Sequence, residues 1–136
     1  MRRTAALAAA IAAALFAWPP AGAAPADGPD IKEIMGKANK PTGLYYTLAR
    51  DLKDDEPSWP DVQKEAKDLA QLIAALRKAT PPKGDKASWD ALTKAYAADA
   101  AALSAAADKK DKKAAQAVHA RMGEACDACH KVHRPE

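Results

Sequence analysis

Glu124-Ala-Cys-Asp-Ala-Cys-His-Lys-Val-His-Arg134 closes a chain of 136 residues and contains both of its cysteines. The spacing Cys126-x-x-Cys129-His130 is the attachment signature of a c-type haem, in which two thiols add to the porphyrin vinyl groups and the adjacent imidazole ligates the iron. On a helix, positions i, i+3 and i+4 share one face, so these three side chains can all address one flat ligand. Two other chemistries use such a pair. A redox disulfide normally sits at the strand-to-helix junction of a βαβ unit, and no strand pattern precedes this one. A structural zinc site needs four ligands, of which His133 would be the last, and ligands crowded onto one helix with no second knuckle make a poor tetrahedral cage.

The opposite end of the chain bears on the same choice. Arg2-Arg3 forms a charged start, Thr4 to Trp18 an apolar run of 15 residues, and Ala21-Gly-Ala23 with Ala24-Pro-Ala26 offers small-residue cleavage sites. That is the pattern of a secretory signal over residues 1–26, with a retained N-terminal tether as the alternative, and the run is short of the roughly 20 residues a spanning helix needs. Cleavage would leave one domain, residues 27–136, with no stable membrane insertion. It would also place the protein in the periplasm or another exported, oxidising compartment, where haem is attached.

Of 21 Lys and Arg and 18 Asp and Glu, Arg2 and Arg3 belong to the signal, so the remaining domain is close to neutral. Nothing in this balance calls for nucleic acid or an anionic surface. Phe16 is the chain's single Phe and leaves with the signal, and Ala is the commonest residue of what remains. Ala forms helices readily but buries little area, so the helices form easily around a thin core. A covalently held haem would supply the missing apolar bulk.

Four helical segments are visible, with no period-2 alternation long enough for a strand. The first runs from about Asp30 to Asp54, with Lys40-Pro41-Thr42-Gly43 predicting a kink or short loop within it. The second follows Ser58, which with Asp61 resembles a capping box, and carries Val62, Ala66, Leu69, Leu72, Ile73 and Leu76. The third starts at Ser88 as cap and carries Trp89, Leu92, Tyr96, Ala100, Leu103 and Ala107. The fourth begins near Asp111 and aligns Ala114, Val118, Met122, Cys126, Cys129 and His130. Short connections favour antiparallel neighbours, so the expected fold is all-α, an antiparallel up-down-up-down four-helix bundle with covalent haem.

In that bundle the first and last helices are neighbours, and residues near 31–38, 80–89 and 126–134 converge on one end. Met122 and His119 precede the attachment site on its own helix, which leaves Met35 to approach the iron opposite His130; the alternative is Met35 as a plain core residue. Trp89 is placed either to pack on the porphyrin or within the core. Lys83, Lys86 and Arg134 are candidates for the haem propionates, or exposed cations with no specific role.

The C-terminal Cys126-Asp-Ala-Cys-His130, the trailing His133-Arg134, the helical spacing and the export signal together resemble the cytochrome c′ family, the class II cytochromes c. The resemblance implies an exported four-helix bundle carrying one haem c. Ile31-Lys-Glu-Ile-Met35-Gly-Lys-Ala resembles the low-spin branch, in which a first-helix Met closes the distal site. In the high-spin branch that site stays open to nitric oxide or carbon monoxide. The chain departs from the family in having His133 where an aromatic residue is common, and in the Pro41-Thr-Gly43 break of a usually continuous first helix.

The expected function is one-electron transfer between redox partner proteins. There is no paired His-carboxylate motif and no Gly-rich phosphate loop to suggest an enzyme. The runner-up is a five-coordinate protein that binds nitric oxide or carbon monoxide, and a homodimer is compatible with either.

Overall fold

The computed structural model describes residues 28–135; the expected signal, residues 1–26, and the C-terminal Glu136 lie outside them. The described residues form five helices and no strand: α1 (Ile31–Asn39), α2 (Leu44–Asp51), α3 (Trp59–Leu76), α4 (Lys86–Asp108) and α5 (Lys112–His133).

What the sequence suggests as one interrupted helix is two. Lys40 is extended, with ψ 160°, as the residue before a proline tends to be, and α1 ends there. The Gly43 amide donates to the Lys40 carbonyl at 2.6 Å, closing a tight turn into α2. A Cβ on Gly43 would sit 2.6 Å from the Ala38 carbonyl oxygen, so only glycine lets the chain pass this close to the end of α1.

The caps also differ in part from the pattern read in the sequence. Ser58 does occupy the N-cap of α3, but its hydroxyl donates to the Asp61 carboxylate at 2.6 Å and caps no amide, so the capping box is not formed. The N-cap of α4 is Asp85, not Ser88. Its carboxylate accepts the Ser88 amide at 2.8 Å, and Gly84 at φ +78° turns the chain into that position. Asp111 caps α5 by accepting the Ala114 amide at 3.0 Å.

Val62, Ala66, Leu69, Ile73 and Leu76 of α3 are buried, as are Trp89, Tyr96, Ala100, Leu103 and Ala107 of α4 and Val118 and Met122 of α5. Ile34 and Ala38 of α1, Leu48 of α2 and Leu52 at its C-cap belong to the same core. Burying a Leu or Ile contributes about 1.5–3 kcal/mol, whereas the many Ala positions contribute far less. α4 packs on α3 and α5, and α2 packs on α3 and α5, while α1 packs on α2 and α3 alone. Backbone contact between the first helix and the last is therefore made by α2, whereas α1 makes none with α4 or α5.

Gln63 donates to the Ala107 carbonyl at 3.1 Å, Gln116 to the Leu52 carbonyl at 2.7 Å, and Lys112 to the Asp54 carbonyl. These bonds tie together the α2–α3 and α4–α5 connections. At the opposite end His133 joins α5 to the α3–α4 connection and the start of α4.

Candidate functional site

The gap between α1 on one side and α4 and α5 on the other is a cavity of about 960 Å³. Each helix presents one face to it. From α5 come Cys126, Cys129, His130 and His133, from α1 Ile31, Met35 and Asn39, and from α4 Trp89, Thr93 and Tyr96. Spacings of three and four bring these side chains onto single helix faces. Arg134 and the α3–α4 connection, including Ala79 and Pro82, line the same space.

All six residues assigned to a site from the sequence, Cys126, Cys129, His130, Met35, Trp89 and Arg134, therefore line one cavity. Cys126, Cys129 and Met35 are half-buried, His130 and Arg134 are exposed, and Trp89 is buried. Lys83 and Lys86 are not in the lining; the Lys86 ammonium pairs with Asp90 at 2.6 Å. Met122 is fully buried, and His119 faces α2, where its Nε2 lies 2.8 Å from the Tyr45 carbonyl and its ring stacks on Tyr45 at 4.0 Å.

Both cysteines are free thiols. Burial pushes both up from the ordinary thiol range. At Cys126 the Asp127 charge adds to this, while the hydrogen bond to Tyr96 opposes it. At Cys129 the neighbouring Cys126 adds to burial. A redox-active pair has the opposite shift, supplied by an adjacent cation or a helix N-terminus.

The Cys126 thiol lies 3.5 Å from the Tyr96 hydroxyl. Burial, reinforced by Cys126, pushes the Tyr96 phenol far up, and the Asn39 amide opposes that shift. Asn39 in turn donates from Nδ2 to the Met35 sulfur at 3.3 Å. A line of polar side chains, Met35, Asn39, Tyr96 and Cys126, thus runs from α1 through α4 to α5. Asn39 and Tyr96 were not assigned to a site from the sequence, although Asn39 is four residues from Met35 on the same face.

His133 is the other addition. It is 2% exposed, donates from Nδ1 to the Lys83 carbonyl at 2.7 Å, and meets the Ser88 hydroxyl through Nε2 at 3.0 Å. Its ring packs edge-on to Trp89 at 5.3 Å. With both nitrogens engaged, His133 is not placed to complete a zinc set. Among the described residues, no three His, Cys, Asp or Glu side chains converge on a metal position.

The indole Nε1 of Trp89 is buried with no hydrogen-bond partner in the structure. A buried donor left without an acceptor costs about 1–3 kcal/mol, and here it belongs to a residue that lines the cavity. No helix among the described residues is long and apolar enough to cross a membrane. Compared with protein-family models, with known proteins and with solved structures, the chain matches none.

Proposed function

We propose that this chain is an exported c-type cytochrome resembling the cytochrome c′ family. In this reading it is an up-down-up-down four-helix bundle whose first helix is divided into α1 and α2, and it carries single electrons between redox partner proteins in the periplasm. One observation carries the reading. Cys126, Cys129 and His130 open from α5 onto the same cavity that Met35 enters from α1.

The residues fit a haem. The cavity lies at the upper end of the roughly 300–1,000 Å³ of small-molecule and cofactor sites. Its walls are mostly apolar, and the unpartnered Trp89 Nε1 is a donor that an acidic group on a ligand would satisfy. Cys126 and Cys129 would hold the group through thioethers, and His130 and Met35 would ligate its iron. When bound, haem supplies a reversible one-electron couple at iron. The chain's part is to fix and enclose it. Trp89 and Tyr96 form the apolar wall, His133 packs edge-on against Trp89, and Arg134 is a cation for a carboxylate.

The test is expression in a host able to attach haem, followed by mass spectrometry and absorption spectroscopy. The expected result is one haem that stays with the chain through acid and organic solvent, and a six-coordinate, low-spin ferrous spectrum. Free thiols after maturation would overturn the proposal. A ferrous protein that is high-spin and takes up carbon monoxide at once would replace the carrier with a gas-binding protein.

A further inference from the structure

We propose that Asn39 is a positioning residue for Met35, holding one lone pair of the thioether in a hydrogen bond so that the other is presented to the iron of a haem in the cavity. The inference rests on the cytochrome reading above and goes beyond it. Methionine has three rotatable bonds and few preferred contacts, so an unrestrained Met35 would wander among rotamers. Asn39 removes that freedom. Its Nδ2 lies 3.3 Å from the sulfur, one turn along the same face of α1.

Asn39 is itself held. It is half-buried, it is the last residue of α1, and the extended Lys40 that precedes Pro41 ends the helix directly after it. Asn39 lines the cavity together with Tyr96 of α4. A thioether retains a second lone pair when one accepts an N–H.

Two consequences follow for a bound haem. The N–H dipole points its positive end at the ligand sulfur, which disfavours extra positive charge at iron and stabilises the reduced state. Fixing the thioether also lowers the entropy lost on ligation, so the sulfur leaves the iron less often. Asn39 therefore raises the potential and slows the entry of external ligands.

The experiment uses the haem-loaded protein and its Asn39→Leu, Asn39→Ala and Met35→Ala variants. Leu keeps the size of Asn without a donor; Ala, the best helix former, keeps α1 intact should Leu fail to fold. Three quantities are read: the thioether-to-iron charge-transfer band, the reduction potential, and the rate of carbon monoxide uptake by the ferrous form. In the Asn39 variants the band should remain, the reduced-to-oxidised ratio at a fixed potential should fall several-fold, and uptake should accelerate. Tenfold in that ratio corresponds to 59 mV for one electron. A potential and uptake rate unchanged in both Asn39 variants, with the band lost in Met35→Ala, would overturn the role of Asn39 while leaving Met35 as ligand. Absence of the band in the unaltered protein would overturn both.

Discussion

If the proposed haem is bound, Met35 is the residue on which the choice between carrier and gas-binding protein turns. It is half-buried on α1, packed beside the core and directed to the cavity shared with His130. Met35→Ala in the haem-loaded protein should produce a high-spin ferrous form that binds carbon monoxide quickly, with a stability loss of about 2–5 kcal/mol from the lost packing. Absorption spectra and urea unfolding measure both. His119 offers an independent check on how α2 and α5 are joined. Burial lowers its pKa, which the hydrogen bond to Tyr45 only partly offsets, so the unfolded chain binds a proton more readily than the folded one. The stability this contributes is complete above the unfolded value near 6.5 and is lost as the pH falls from there through the lower folded value. His119→Gln should flatten that part of the stability–pH curve. A curve that keeps its slope between pH 7 and 5 would place the titration elsewhere.

At the scale of the elements, the division of the first helix is held by one glycine. A Cβ at Gly43 would meet the Ala38 carbonyl oxygen at 2.6 Å and the Lys37 carbonyl oxygen at 2.8 Å, both backbone atoms that cannot rotate away. Gly43→Ala should therefore cost roughly 1–3 kcal/mol in thermal or urea unfolding and shift α1 against α2, although φ −82° at this position suits alanine. The break itself was legible, because Pro and Gly each act through local backbone chemistry. So were the buried faces of α3 and α4, where apolar residues recur every three or four positions. The start of α4 was less so. Asp85 and Ser88 are both good caps three residues apart, and the left-handed turn at Gly84 selects the first. Ser88 is then released to meet His133, which the sequence offered as a last zinc ligand and as part of the trailing His133-Arg134. Spacing tells which face of a helix a residue occupies. It does not tell which rotamer it adopts or what another helix brings opposite, and for that reason the places of Asn39 and Tyr96 at the cavity, and the partners of His133, became visible only in three dimensions.

For the whole molecule, the decisive fact is an asymmetry between its two ends. The end near Asp54 and Lys112 is closed by packing and by hydrogen bonds between connections, whereas the other end, where His133 joins α5 to the α3–α4 connection, surrounds a cavity of about 960 Å³ lined by α1, α3, α4 and α5, of which α1 touches neither α4 nor α5 along its backbone. Such a space in an otherwise Ala-rich core is a region with few partner atoms, and its lining loses the dispersion contacts that a filled interior would provide. A ligand that binds only the folded chain stabilises it, and a covalent one cannot be diluted away. Replacing Cys126 and Cys129 by Ala should accordingly leave helix α3 and the packed parts of α4 and α5 largely formed, while α1 loosens and the melting transition broadens and drops. Hydrogen exchange read by mass spectrometry should show this as early exchange confined to residues 31–39 and the α3–α4 connection, with residues 62–73 protected. Should the haem-free variant melt as sharply and at the same temperature as the loaded protein, with α1 equally protected, the cavity would be an adequate structure when empty, and haem would be a peripheral passenger and not the missing part of the core.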